Sequence, residues 1–215
     1  MKVRWLGHAC FLVTSGDGVR VITDPYAVDG GISHAPVTEA ADVVLVSHDH
    51  FDHSDVSTLQ GRPEVVRGSR TRTVKGIPIT GVVTYHDSSQ GGDRGTNTVF
   101  CFTVDDIKLC HLGDLGHVLS EEQVEEIGPV DILLVPVGGF YTIGPSEASQ
   151  ICDQLKPKVV IPMHFRTPRC AFPIADAEEF LEGKENVRRV AGSEVEVERG
   201  TLPAVTEFVL LQPAL

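Results

Sequence analysis

The chain is short of positive charge. It has 18 Lys and Arg residues against 30 Asp and Glu, a formal net charge of −12. Broad binding to nucleic acid or to an anionic membrane draws on a surplus of Lys and Arg, so both are disfavoured. Carboxylates also offset a divalent metal cluster, which gives some of this acid a place other than the surface. Long apolar runs are missing too. None approaches the ~20 residues that span a bilayer, so no transmembrane segment is expected. Met1-Lys2-Val3-Arg4-Trp5 has neither the apolar core nor the small-residue cleavage site of a signal peptide. The five cysteines, Cys10, Cys101, Cys110, Cys152 and Cys170, are odd in number and include no CxxC pair. That speaks against a disulfide scaffold and fits reduced thiols in a cytoplasmic protein. Nor is a scaffold required, since a single domain of 215 residues buries roughly 70% of its unfolded surface.

What the chain does have is strand-like patterning punctuated by turns. Residues 3–6 and 11–14 flank Gly7-His8-Ala9-Cys10, and Gly16-Asp17-Gly18 turns the chain into 19–23. The uniformly apolar Val43-Val44-Leu45-Val46 reads as a strand buried on both faces. A short helix is expected over 54–59 with Ser54 as N-cap. Strands follow near 64–67, 71–75 and 81–85, then a Gly-rich loop over 87–95. In the second half, 98–104 and 107–112 predict a hairpin around Asp105-Asp106. A two-residue turn pairs Val104 with Ile107, and counting outward pairs Cys101 with Cys110 in the more closely spaced type of position. Both thiols are expected to be free. Ser120 begins a helix with Glu121, Glu122 and Gln123 in its first turn. A strand follows at 132–135, a helix opened by Pro145 runs to about Leu155, and a strand at 159–161 and a helix at 174–181 complete the order. Sheets come first and βα units later, with no low-complexity linker, so residues 1–215 read as one α/β domain.

The densest chemistry lies directly after a buried strand, in Ser47-His48-Asp49-His50-Phe51-Asp52-His53. Four potential metal ligands, His48, His50, Asp52 and His53, fall within six consecutive positions. Imidazole suits zinc and iron, and carboxylate bridges or completes a site. His48 and His50, alternating at a strand end, point one way and leave Asp52 and His53 to reach a second ion. The bland alternative is a solvent-exposed polar turn, which this HxHxDH pattern after an apolar strand argues against. Two ions ~3.5–4 Å apart need more donors than this loop holds, so distant Asp and His residues at other strand ends are required.

The segment resembles the HxHxDH signature of the metallo-β-lactamase superfamily, and other motifs of that family follow in order. Val21-Ile22-Thr23-Asp24-Pro25 resembles its early strand ending in Asp. His86 in Thr84-Tyr85-His86-Asp87, Asp114 in His111-Leu112-Gly113-Asp114, and His164 in Ile161-Pro162-Met163-His164 match its remaining ligand positions. Gly7-His8-Ala9, Gly113-Asp114-Leu115-Gly116-His117 and Pro136-Val137-Gly138-Gly139 are similar to segments of a compact bacterial and archaeal branch of metal-dependent hydrolases, related to the ascorbate-phosphate lactonases. The resemblance implies a four-layer αββα sandwich with the metals at one edge between the sheets. It implies that His48, His50 and His86 bind one divalent ion, that Asp52, His53 and His164 bind a second, and that Asp114 bridges. Zinc is the first expectation, with Mn, Fe or Ni also accommodated by such donors. The pair would lower the pKa of a bridging water and stabilise the oxyanion that forms on its attack.

Asp52 and His8 are the candidate catalytic residues, although His8 reads equally as a group supporting the ligands or as one facing the cavity. Asp24 is expected to orient the metal loop by hydrogen bonds. His111 is the fallback ligand but is expected to pack or hydrogen-bond beside the site, and His34 and His117 read as structural or surface histidines. Arg94 and Asn97, ending the Gly-rich loop, and Arg166, with Arg169 close behind it, are candidates to hold a phosphate or carboxylate on the substrate. Each arginine alone could equally be a solvated loop charge, and Phe140-Tyr141-Thr142 could wall the pocket or simply be core. The expected partner is a small molecule, anionic or neutral, hydrolysed as a phosphodiester, cyclic phosphate or lactone; a homo-oligomer is compatible with the sequence. The main alternative is a metallo-nuclease, but the chain has no room for the insertions of the processing nucleases. The diiron relatives carry Glu where His50 stands, and a vestigial site would show broken motifs.

Overall fold

The computed structural model describes all 215 residues. Two sheets face each other. The first contains β1 (Lys2–Gly7), β2 (Cys10–Thr14), β3 (Arg20–Thr23), β4 (Val43–Val46), β5 (Glu64–Arg67) and, at the far edge beside β1, a late strand over Glu194–Glu196. The second runs from an edge strand over Thr71–Val74 through Ile77–Tyr85, Thr96–Val104, Ile107–His111, Ile132–Pro136 and Val159–Met163 to Glu207–Leu210 and Val187–Arg189. In chain order these strands are β6 (Thr71–Val74), β7 (Ile77–Tyr85), β8 (Thr96–Val104), β9 (Ile107–His111), β10 (Ile132–Pro136), β11 (Val159–Met163), β12 (Val187–Arg189), β13 (Glu194–Glu196) and β14 (Glu207–Leu210).

Side-chain alternation along the strands builds the core. Val43 and Leu45 of β4 join the main apolar cluster with Trp5, Phe11 and Val21, while Val44 and Val46 join Leu6, Cys10 and Ile22 in a second, smaller one. Successive residues of a strand point to opposite faces, so the first sheet is buried on both sides, as its apolar run predicts. Its outer face is covered by irregular chain carrying Tyr26, Ile32, Val37 and Ala41, with Val56 and Leu59 packed alongside. The three helices, α1 (Glu121–Ile127), α2 (Pro145–Leu155) and α3 (Ala177–Leu181), belong to the second sheet, α1 against β7 and α2 against β10.

The helix expected over 54–59 does not form. Ser54 donates its hydroxyl to the His50 carbonyl (2.9 Å), and Asp55 Oδ1 accepts from the Ser57 amide (3.0 Å). Local side-chain bonds of this kind offer the backbone an alternative to the helical ladder. The last helix starts at Ala177 rather than at 174, because Asp176 caps it by accepting from the Glu178 amide (2.9 Å). Ser120 and Gln123 form the reciprocal capping box that their spacing predicts. The hairpin also follows its predicted register: Asp105 and Asp106 both have positive φ, and Cys101 lies opposite Cys110 as a free thiol pair.

The topology places many strand ends on one edge. His8 follows β1, Asp24 follows β3, Ser47 follows β4, His86 follows β7, and His164 follows β11. Asp114 comes three residues beyond β9. No helix is long and apolar enough to cross a membrane.

Candidate metal centre

The backbone at this edge is tied across the two sheets. The His8 carbonyl accepts from Trp5 Nε1 (2.9 Å) and from the His164 amide (3.1 Å), joining the ends of β1 and β11. The Ser47 carbonyl accepts from the Thr98 amide (2.9 Å), joining β4 to β8. His8, Asp24 and His164 have φ of 51°, 40° and 49°, a region that costs a non-glycine residue of order 1 kcal/mol or more. Three such residues in one edge mark it as held by its surroundings for a purpose other than chain stability. Gly113 also needs its identity: a Cβ there would stand 2.4 Å from Asn97 Oδ1. Its absence lets Asn97 Oδ1 accept from the Asp114 amide (3.0 Å).

The result is a convergence of donor atoms. His48 Nε2 lies 3.0 Å from His50 Nδ1, and the rings of both abut His86. On the other side His8, Asp52, His53 and His164 bring their donor atoms within 4.8 Å of one another. The Asp114 carboxylate lies between: Oδ2 is 3.2 Å from His86 Nε2, 3.5 Å from His164 Nε2 and 3.9 Å from His48 Nε2, and Oδ1 is 3.2 Å from His53 Nε2.

Asp24 supports this arrangement from behind. Its Oδ1 accepts from the Ser47 amide (2.7 Å), and Oδ2 from Ser47 Oγ (2.7 Å), His53 Nδ1 (3.1 Å) and His111 Nε2 (2.8 Å). With Ser47 Oγ donating to Asp24, the 2.9 Å contact from His48 Nδ1 to Ser47 Oγ has the imidazole as donor. Both His48 and His53 therefore keep a proton on Nδ1 and turn Nε2 inward as the atom that would take an ion. Lone pairs facing a carboxylate repel unless a cation or proton stands among them. Asp114 Oδ1 and His53 Nε2 are buried without a hydrogen-bond partner. This donor set fits divalent metal: imidazole and carboxylate ligands at ~2.0–2.2 Å put neighbouring donor atoms ~3 Å apart.

The electrostatics agree. Burial lowers the His48 pKa to about 3, helped by the neighbouring His53, and burial with His164 lowers that of His8 to about 3. Both are neutral at working pH. Burial opposes the charge on Asp114 as well, but His164 and His53 outweigh it and hold the carboxyl well below the usual range. Asp24 and Asp52 are likewise held low against burial, by His111 and His53 and by His53 and His8. His53 shifts the opposite way from His8 and His48. Burial would lower its pKa, yet Asp114 and Asp52 raise it well above 6.5. In the metal-free chain it is charged at neutral pH, and its Nε2 proton has to leave before that atom can take an ion. Metal uptake at pH 7 is therefore expected to release close to one proton per chain and to tighten as pH rises. Titration calorimetry in buffers of different ionisation enthalpy measures this directly; an identical heat in all buffers would rule it out.

A cavity of about 370 Å³ opens in front, lined by His50, Asp52, His86, Asp114 and His164 together with Gly30, Phe51, Arg94, Tyr141 and Phe172. Of the residues read as substrate-binding, Arg94 is there, its guanidinium donating to the Tyr141 carbonyl (3.3 Å) and lying 5.4 Å from that ring. Asn97 is not. It is buried, donates to Thr84 Oγ1 (2.8 Å) and the Leu112 carbonyl (2.9 Å), and positions Asp114. Arg166 turns outward to Asp176 (3.2 Å), and neither it nor Arg169 lines the cavity. His8 Nε2 contacts Asp52 Oδ2 (3.2 Å). His111 reaches Asp24 rather than the cavity, His34 contacts the Leu215 carbonyl, and His117 accepts from the Tyr85 amide.

Sequence reasoning passed over Asp87, Ser47 and most of the aromatic mouth. Asp87 accepts from the amides of Ser89, Gly91, Asp93 and Arg94 and from Ser89 Oγ, so it shapes the loop that presents Arg94. The backbone bonds outweigh desolvation and keep its carboxyl low. An Asp with Ser two positions on is a recognisable loop-forming signal. Tyr141 lines the cavity, as the pocket-wall reading of Phe140-Tyr141-Thr142 allows, whereas Phe51 and Phe172 come from two other loops and are not singled out by the sequence as cavity residues.

Comparison with known proteins adds an independent line. A family model described as a β-lactamase superfamily domain matches residues 2–164, a span that holds every donor named above. A Pyrobaculum islandicum protein named UPF0173 metal-dependent hydrolase is 31% identical over 218 residues, covering 88% of this chain and 94% of its own. A Thermococcus onnurineus protein of the same name is 30% identical, covering 92% and 95%. A crystal structure from Thermotoga maritima, placed among Zn-dependent hydrolases of the metallo-β-lactamase superfamily, superposes with a TM-score of 0.82 at 40% identity, covering 98% and 97% of the two chains.

Proposed function

The chain belongs to the metallo-β-lactamase superfamily and is a metal-dependent hydrolase, and on that premise we propose that it hydrolyses a small ester with two divalent ions, zinc first among them. His48, His50 and His86 would hold one ion, Asp52, His53 and His164 the other, with Asp114 placed between the two groups. The observation that carries this is the Asp114 carboxylate, whose two oxygens face opposite imidazole groups at 3.2 Å each. The substrate is a phosphodiester, cyclic phosphate or lactone. A cavity of about 370 Å³ suits a small molecule, its aromatic mouth takes an apolar portion, and Arg94 offers charge-assisted hydrogen bonds to an anionic one.

Ions held there would lower the pKa of a water molecule and offset negative charge that develops on attack. The remaining work falls to the protein. Neutral His8 donates a hydrogen bond from Nε2 to Asp52 Oδ2 (3.2 Å), which fixes the carboxylate that would hold an ion and orient the attacking water. Asp24 keeps the Nδ1 protons of His53 and, through Ser47, of His48 directed away from the ions. Asp87 holds the Arg94 loop in place. Phe51, Tyr141 and Phe172 narrow the entrance and reduce access of bulk water.

Metal analysis of the purified protein, combined with a panel of phosphodiesters, lactones and thioesters, tests the reading. The expected result is two ions per chain and turnover that chelation abolishes and metal restores. Turnover unaffected by complete metal removal would overturn it. Within the panel, Arg94→Ala is expected to raise KM for an anionic ester by ~10-fold or more with a smaller change in kcat, because a charge-assisted bond is present both before and during reaction. An unchanged KM for every anionic ester would remove Arg94 from the site and move neutral lactones ahead of phosphodiesters.

A further inference from the structure

A second hollow, of about 400 Å³, opens on the other side of His50 from the metal cavity. His50 and Arg94 line both. Its walls are the loop after β4, Arg67 and Gly68 at the end of β5, and Gly95, Thr96 and Thr98 at the start of β8, with Val46 as the one apolar residue. The metal cavity is rimmed with aromatics, whereas this hollow is polar and has Arg67 and Arg94 among its lining residues. Ser47, His48, His50 and Arg94 already have roles at the metal centre, but Arg67 and Asp49 on its other wall have none described above.

Arg67 is bound only in part. One of its terminal nitrogens donates to Asp49 Oδ1, and Asp49 is itself 88% exposed. A guanidinium has five N–H donors in a planar fork, so most of this one remains available. The surrounding chain is unusual for so acidic a protein. Arg72 stands against Arg67, its guanidinium 3.5 Å from the Arg67 carbonyl, Arg70 lies between them in the chain, and residues 65–75 contain no acid. Clustered charge of one sign sets a local field that a distant net charge of −12 does not cancel within a Debye length. Gly68 and Gly95, both with positive φ, have nothing within 4 Å of the place a Cβ would occupy. An incoming group can thus approach the backbone on both walls.

We propose that this hollow is a binding subsite for an anionic group, a phosphate or carboxylate, held between Arg67 and Arg94 beside the catalytic cavity. It rests on the hydrolytic reading of that cavity and narrows its substrate class to esters that carry a second anionic group, unless free phosphate is the occupant. Asp49 competes with the anion for Arg67, which gives the site a built-in attenuator.

The test is calorimetric titration of the metal-loaded protein with inorganic phosphate, in wild type, Arg67→Ala and Asp49→Asn. Wild type is expected to show a phosphate site beyond any at the metals. Arg67→Ala should weaken it about tenfold or more, as loss of a charge-assisted bond does. Asp49→Asn should tighten it several-fold, a gain that misfolding cannot mimic. Phosphate binding at a single, metal-dependent site, or binding indifferent to both substitutions, would overturn the subsite. The source of the anion is separated kinetically, with thymidine 5′-(p-nitrophenyl phosphate) and its 3′-phosphorylated form. A lower KM for the phosphorylated probe that Arg67→Ala erases assigns the subsite to the substrate. Equal KM values, with free phosphate altering the rate through Arg67, assign it to free phosphate. No metal-dependent turnover of any panel ester would instead defeat the hydrolytic reading, while the phosphate titration still decides the subsite.

Discussion

Asp114→Ala is expected to empty both metal positions and to lower kcat/KM on the order of 10³-fold or more, since metal-based charge stabilisation is lost along with the ions. Asp114 is buried to 2% exposure, and its oxygens face imidazole nitrogens from His53, His86 and His164 at 3.2, 3.2 and 3.5 Å. No other carboxylate spans the two groups. Asp52 lies with His8, His53 and His164 on one side only. Removing Asp114 therefore takes a ligand and a negative charge from each position at once. His86→Ala differs, because beyond Asp114 the His86 ring groups with His48 and His50 and not with Asp52, His53 and His164; it should vacate one position and leave the other filled. Asp114→Asn keeps the shape but not the charge and should fall between the two. The loop itself survives these changes, since Asn97 holds the backbone amide of residue 114 and not its side chain. Metal stoichiometry read beside circular dichroism distinguishes ligand loss from unfolding. An Asp114→Ala protein with two ions per chain and near-normal turnover would refute the bridging assignment.

The parts of this structure legible in the sequence are those specified over short range. His48, His50, Asp52 and His53 crowd one loop, so the structure had only to bring them to an edge. Cys101 and Cys110 are opposed because a two-residue turn leaves the hairpin no freedom of register. His86, Asp114 and His164 could be picked out because each closes or follows an apolar strand, and all three lie at the same edge. The less legible parts depend on direction or on distant chain. Asn97 stands beside Arg94 in sequence, yet strand alternation at the start of β8 turns Thr96 outward and Asn97 inward. Arg166 follows His164 as closely as any substrate residue should, but Asp176, ten positions on, draws it to the surface. The edge strands β12 and β13 have three residues each and exist only through pairing with β14 and β1. The expected outer layer on the first sheet shows the same limit. Its apolar residues are there, but the hydrogen bond donated by Ser54 and the one accepted by Asp55 settle the chain into turns where a helix was expected.

Asp24→Ala should be the most damaging change outside the donor set itself, costing metal affinity and fold stability together. Asp24 is fully buried and accepts four hydrogen bonds, two from Ser47, one from His53 and one from His111. Ser47 and His53 belong to the first sheet and its loop, and His111 to β9 of the second, so this carboxylate joins the two sheets beneath the site. Breaking such a buried, charge-assisted network costs about 3–5 kcal/mol, which in a domain of this size corresponds to a melting temperature lower by roughly 6–20 °C. Metal affinity should fall ~10–100-fold, the usual effect of removing a partner that orients ligands. The reason here is specific: without Asp24, His53 can move its proton to Nε2, and His48 loses the Ser47 relay that keeps its own on Nδ1. His111→Ala separates the two effects. It removes one bond from Asp24 but leaves both ligand-orienting ones, so stability should drop while metal affinity stays within a few-fold of wild type. The pH dependence has a defined sign. Asp24 is held below its unfolded value of 3.8, with burial opposing and His111 and His53 prevailing. Its contribution is therefore fully present above about pH 3.8 and is lost progressively as pH falls toward the lower folded value. In metal-free protein the gap in melting temperature between wild type and Asp24→Ala should be widest near neutrality and narrow below pH 3.8. A gap that widened in acid, or an Asp24→Ala protein that bound metal as wild type does, would show that the carboxylate neither bolts the sheets nor directs the imidazoles.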